Sequence, residues 1–226
     1  SDLEGSIVMI LKINNIDLFY EKFGSGTPII LVHGNGENYN IFDKIIPLLS
    51  ELFTVYAIDL RGHGKSSIIN EYNYQDMADD IVCFVKELQL KNPIYYGFSD
   101  GGIIGLLIAS QHQELLSHLI VSGANTCPHG LKNKWYYLFK LMYFFKRDKK
   151  MKMMLTQPNI SKEELEKITI PTLVLAGSND MISENNTREI AHCIKNSTLN
   201  ILDGETHSSY VVHSPKLFDL ITSFYS

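Results

Sequence analysis

Ser99 stands in Gly97-Phe98-Ser99-Asp100-Gly101-Gly102, a Gly-x-Ser-x-Gly spacing that follows the apolar run Ile94-Tyr95-Tyr96 and precedes Ile103 to Ala109. That context gives the pattern meaning, because a sharp turn from strand to helix lifts a serine hydroxyl clear of the sheet edge. Glycine at 97 and 101 suits such a turn, where a side chain would collide with neighbouring backbone and the serine itself is strained. A helix starting near Asp100 also points free N–H groups at the serine, where they can stabilise negative charge developing during acyl transfer. The same residues would equally describe a glycine-rich turn before a helix with a serine cap, and no chemistry.

A serine hydroxyl is a poor nucleophile until a histidine takes its proton, and the histidine needs an acid to fix its tautomer. In an open parallel sheet such partners lie just beyond the carboxyl ends of strands. Asp180, in Gly177-Ser178-Asn179-Asp180, and His207, in Asp203-Gly204-Glu205-Thr206-His207, each follow a strand-like run, giving the chain order Ser, Asp, His. The bland readings are a helix cap for Asp180 and a surface residue for His207. His33-Gly34-Asn35-Gly36 follows Ile29-Ile30-Leu31-Val32, where the backbone N–H of Asn35 can act as one oxyanion donor and that of Asp100 as the other. His33 reads as an anchor of that loop.

The elements that must position these residues follow from hydrophobic periodicity. Ile7 to Ile13 and Ile16 to Phe23 predict a hairpin turned at Asn14-Asn15, and Ile29 to Val32 predicts a buried central strand. Strands over 54–60, 93–98, 116–123, 171–177 and 198–202 then alternate with helices over 41–52, 74–88, 101–111, 186–194 and 215–224. Such alternation predicts an α/β fold with a mostly parallel central sheet and helices on both faces. Residues 124–169 break the rhythm and are too many for a plain loop, so they predict a small helical cap inserted within a single domain of 1–226.

Composition narrows the function. At 226 residues and 45% hydrophobic content the chain can bury one sizeable core. A net charge of -5 argues against nucleic-acid binding by bulk electrostatics. Cys83, Cys127 and Cys193 are odd in number and widely spaced, which fits neither a metal site nor a disulfide framework and points to a reduced, cytoplasmic protein. No apolar run approaches the ~20 residues of a membrane span. Ser1 to Ser6 are polar and unpatterned and read as an added tail.

Together, His33-Gly34-Asn35-Gly36, Asp59-Leu60-Arg61-Gly62-His63-Gly64-Lys65-Ser66, Gly97 to Gly102, Asp180 and His207 resemble the α/β-hydrolase superfamily over nearly the whole chain outside the cap. The resemblance implies an α/β-hydrolase fold and a Ser99-His207-Asp180 triad acting through an acyl-enzyme, without metal or organic cofactor. Carboxylic ester hydrolysis on a small-molecule acyl substrate heads the implied activities. Carbon-carbon bond hydrolysis, perhydrolysis and a non-catalytic ligand-binding or interaction role stay open. Gly64-Lys65-Ser66 mimics the end of a phosphate-binding loop, but Asp59 occupies the position where that loop needs glycine. Asp100 matches hydrolases of amino-acid esters that share Gly-x-Ser-Asp-Gly-Gly, where the acid would meet a cationic substrate; otherwise it stabilises a helix N-terminus.

The segment 132–152 carries +7 while the rest of the chain carries -12. Trp135 and the aromatic and aliphatic residues from Tyr136 to Phe145 are interleaved with the lysines. They predict a lid that lines an acyl pocket, with Trp135 as a substrate contact. The sharper reading is that this basic aromatic lid meets an anionic surface or acidic substrate.

Overall fold

The structure, a computed structural model, describes residues 5–226; the first four residues of the polar opening stretch lie outside the described residues. The predicted hairpin forms from β1 (Ile7–Ile13) and β2 (Ile16–Phe23). Asn14 and Asn15 take φ of 46° and 61° in its turn, the left-handed backbone that a tight hairpin requires. The remaining strands are β3 (Thr27–Val32), β4 (Phe53–Ile58), β5 (Ile94–Phe98), β6 (His118–Ser122), β7 (Thr172–Asn179) and β8 (Ser197–Thr206). They form one eight-stranded sheet in the order β1-β2-β4-β3-β5-β6-β7-β8. The β1-β2 and β2-β4 pairs are antiparallel and all others parallel. After β3 the chain goes first to β4 on one side and then to β5 on the other, so the strand order reverses there and a crevice opens beyond the carboxyl ends of β3 and β5.

Helices α2 (Tyr74–Glu87), α3 (Asp100–His112), α7 (Glu184–Cys193) and α8 (Leu217–Tyr225) lie close to their predicted spans. The single helix predicted over 41–52 is instead a 3-10 turn at Tyr39–Phe42 and a short α1 (Ile46–Leu49). Pro47 lies in the first turn of α1, a place proline tolerates at a helix start and not in an interior. Strand side chains alternate between two cores. Ile30, Val32 and Tyr95 pack with Met77, Ile81 and Phe84 of α2 and the apolar run of α3. Ile29, Leu31, Ile94 and Tyr96 pack on the other face with Ile46 and Leu49 of α1 and Leu217 and Ile221 of α8. Burial on both faces explains why the central strands read as continuous apolar runs.

Between β6 and β7 the chain forms a 3-10 turn at Pro128–Gly130 and then α4 (Asn133–Lys146), α5 (Lys149–Thr156) and α6 (Lys162–Glu166). Backbone bonds tie this excursion down: Lys132 N–H donates to Met181 O at 2.8 Å and Ile160 N–H to Thr126 O at 2.9 Å. Met153 of α5 is buried, whereas α4 buries no side chain. The expectation that its whole aromatic run lines a pocket therefore needs correction. Trp135, Tyr136, Phe139 and Tyr143 are half-buried, while Tyr137, Leu138, Leu141, Phe144 and Phe145 face solvent. Within each set, residues or neighbouring pairs recur every three to four positions, so one helix presents two faces. Among the described residues, no helix is long and apolar enough to cross a membrane.

Candidate active site

Ser99 sits between β5 and α3 with φ 54° and ψ -114°, a conformation that costs a non-glycine residue free energy and persists only where surroundings enforce it. They do: its N–H donates to Ser122 O on β6 at 2.7 Å. A Cβ on Gly97 would lie 2.0 Å from Gly101 O, and one on Gly101 would lie 2.3 Å from Val32 O. Only glycine lets the turn close. The Ser99 hydroxyl makes no capping bond to α3, so the reading of Ser99 as a simple helix cap does not describe it.

Ser99 Oγ instead lies 3.1 Å from His207 Nε2, and His207 Nδ1 lies 2.6 Å from Asp180 Oδ1. His207 follows β8, which continues to Thr206 where the sequence predicted its end at Leu202. The extra residues were hidden by Asp203-Gly204-Glu205, which reads as a turn. The imidazole packs on Phe98 at a centroid distance of 5.0 Å. Opposite it, Gly123 has φ 61°, and a Cβ there would lie 2.7 Å from His207 Cε1.

Asp180 is 2% exposed and accepts from the N–H groups of Ile182 at 3.0 Å and Gly177 at 3.3 Å. Burial alone would raise its carboxyl, but the His207 hydrogen bond and charge and the backbone donors bring it below the ordinary value. It stays ionised. Ser183, not Asp180, caps α7 by accepting from Asn186 N–H.

The loop after β3 is held by two neutral imidazoles. His33 Nε2 accepts from Leu60 N–H at 3.0 Å and Nδ1 donates to Gly34 O at 2.7 Å. His63 Nε2 accepts from Gly36 N–H at 2.9 Å and Nδ1 donates to Arg61 O at 3.0 Å. Partners of this kind fix the Nδ1–H tautomer on both rings. Burial, with the neighbouring His63, pushes the His33 pKa down to about 3, and burial also lowers that of His63. The anchoring role expected of His33 is thus shared by His63, which sequence reasoning named only as one residue of the 59–66 stretch. In that stretch Asp59 accepts from the N–H groups of Tyr39 and Lys65, both at 2.9 Å. Its carboxylate takes up the Lys65 N–H that a phosphate-binding loop would offer to its ligand.

Among the described residues, neither the Asn35 N–H nor the Asp100 N–H has an acceptor. The Asn35 side chain donates to Asp100 Oδ2 at 2.9 Å and to Lys150 O of α5 at 3.2 Å. Asp100 Oδ1 accepts from the Tyr74 hydroxyl at 2.7 Å. Both oxygens of this 2% exposed carboxylate are therefore engaged. Burial raises the Asp100 pKa to about 6 against the opposing pull of Tyr74 and Asn35. This arrangement lends no support to a meeting between the carboxylate and a cationic substrate.

Glu37 and Tyr74 are neighbours of the site that sequence reasoning did not find. Glu37 accepts from Gly34 N–H at 3.1 Å, and burial raises its pKa to about 7 despite that bond. Trp135 packs on Phe139 at 6.0 Å and carries Lys134 Nζ over its ring at 5.4 Å, both on its own helix. Among the described residues, no grouping of three or more His, Cys, Asp or Glu side chains is arranged to hold a metal ion.

The profile of the alpha/beta hydrolase fold family matches residues 27–150. The chain is similar to the AB hydrolase superfamily protein YisY of Bacillus subtilis, at 27% identity covering 93% of this chain and 96% of that protein. It is 32% identical to the pimeloyl-(acyl-carrier protein) methyl ester esterase of Wigglesworthia glossinidia brevipalpis over 48% of this chain and 41% of that one. The enol-lactonase of Burkholderia xenovorans superposes with a TM-score of 0.79 at 17% identity, covering 96% of this chain and 99% of that chain, a likeness of fold alone.

Proposed function

We propose that the chain, which belongs to the alpha/beta hydrolase family, is a serine hydrolase that cleaves a carboxylic ester or related acyl bond through an acyl-enzyme. The observation that carries this reading is the hydrogen-bonded line from Ser99 Oγ through His207 to Asp180. In the proposed reaction Ser99 Oγ attacks the carbonyl carbon while its proton passes to His207 Nε2. Ionised Asp180 stabilises the imidazolium. The carbonyl oxygen becomes an oxyanion that accepts from the backbone N–H groups of Asn35 and Asp100. Collapse expels the alcohol, which takes the proton back from His207. Water then gives a proton to His207, attacks the acyl-enzyme, and releases the carboxylic acid with Ser99 restored.

Residues 124–169 are read as a cap over this site, supported by the contact of Lys150 O with Asn35 and by Gln157 Oε1, which accepts from Tyr74 N–H at 3.1 Å. The half-buried side of α4, Trp135 included, is the part of the cap read as contacting the acyl group. The side chain of Asp100 is read as bracing the Asn35 loop.

Burst kinetics with p-nitrophenyl acetate test the reading. Acylation faster than deacylation gives a nitrophenol burst approaching one per chain, absent from Ser99→Ala. A folded wild type without turnover on esters of any acyl length contradicts it.

A further inference from the structure

The outer face of α4 is unused by the fold and by the proposed reaction. Tyr137, Leu138, Leu141, Phe144 and Phe145 stand there at helical spacing, from 42% exposed at Leu138 to 74% at Phe145. A contiguous apolar face held in water and rimmed by charge marks a contact surface. The charge around it is unpaired. Among the described residues, Lys134, Lys140, Lys146, Arg147, Lys149 and Lys152 form no ion pair with a carboxylate. Asp148, the single acid between 132 and 152, accepts from Met151 N–H at the start of α5. The Arg147 guanidinium lies over the rings of Tyr143 and Phe144 at 5.5 and 5.6 Å, leaving its charge beside the apolar face.

We propose that this face docks on an anionic lipid bilayer, with the aromatic and aliphatic side chains entering the headgroup boundary and the lysines and Arg147 resting on lipid phosphates. The occupant follows from the combination of chemistries. A second copy seated face to face would set +7 against +7. A nucleic acid would satisfy the cations, but a polyanionic backbone gives the aliphatic side chains nothing apolar to enter. A surface that is anionic outside and apolar inside satisfies both sets. This docking goes beyond the hydrolase reading and does not depend on it.

Flotation of the full chain with phosphatidylcholine vesicles, with and without phosphatidylserine, tests the proposal. Wild type and Ser99→Ala bind the phosphatidylserine vesicles alike, at least about tenfold more tightly than the neutral ones, and release them as salt rises. Lys146→Ala with Arg147→Ala and Lys149→Ala weakens binding on the order of a hundredfold, at about fivefold for each cation near the surface. Phe144→Ser with Phe145→Ser weakens it at least about tenfold. Both sets keep wild-type rates on a soluble p-nitrophenyl ester, or, should wild type itself be inactive, wild-type unfolding curves, which separates lost docking from lost folding. Equal binding to neutral and anionic vesicles overturns the proposal, as does wild-type binding by either variant set. Self-association lost with the Phe144 and Phe145 substitutions assigns the face to a second copy and also overturns it, as does tighter capture by an oligonucleotide than by the vesicles.

Discussion

A single imidazole stands between Ser99 and Asp180, and its tautomer decides whether Ser99 can lose a proton. Asp180 accepts from His207 Nδ1 at 2.6 Å, which leaves Nε2 free to accept from Ser99. Asp180→Asn would place an amide donor there and force the opposite tautomer. On the proposed mechanism kcat falls by about 10⁴ while the circular dichroism spectrum stays that of wild type; activity within tenfold of wild type would mean another acid orients the ring. Glu37 yields a prediction of a different kind. Its pKa rises from 4.5 to about 7 on folding because the half-buried carboxyl is desolvated, so the folded chain binds the extra proton. That stability is fully present below the unfolded value and is lost as pH rises through about 7. Glu37→Gln, neutral at every pH and still able to accept from Gly34 N–H, should therefore gain on wild type by on the order of 2 kcal/mol more at about pH 8 than at about pH 5. Urea melts at the two pH values check this, and an equal difference at both would contradict it. Ser99, Asp180 and His207 were legible because each sits at a strand end in a fixed chain order. Tyr74 was not, since its bond to Asp100 joins residues 26 positions apart and as sequence it is one more apolar residue of α2.

At the scale of elements, two turns set the geometry. A methyl group at Gly97 would meet backbone that cannot move aside, 2.0 Å away, so Gly97→Ala should lower stability by about 2 kcal/mol or more in thermal melts. Gly123→Ala meets a movable imidazole at 2.7 Å in a turn already at positive φ. It should stay folded but displace His207 and lower kcat by about 10², the cost of a misplacement near one ångström. A wild-type kcat would show that the ring has room to spare. The sheet and its flanking helices were legible because their periodicity is local. The first predicted helix failed at Pro47, and β8 was read short at Asp203-Gly204-Glu205, a bulge where the register with β7 shifts and Gly204 takes φ 75°. The two faces of α4 are implied by its spacing. Which one turns inward depends on packing against residues distant in sequence.

Cohesion of the whole molecule depends on pairs that periodicity does not reveal. Asp80 of α2, 1% exposed, receives Arg61 Nε and Nη2, each at 2.6 Å, and Asn14 Nδ2 at 3.0 Å. One carboxylate thus joins the hairpin turn, the loop after β4 and a helix. Asp80→Ala strands a half-buried guanidinium, and urea unfolding should report a loss of about 2–3 kcal/mol; a loss below about 1 kcal/mol would mean that water replaces the pair. The chemistry proposed for this scaffold comes down to one oxygen. Treatment with a fluorophosphonate, followed by intact-mass spectrometry and peptide mapping, should give one adduct per wild-type chain, located on Ser99, and none on Ser99→Ala. A folded wild type that stays unlabelled, or a label that persists in Ser99→Ala, would contradict the account.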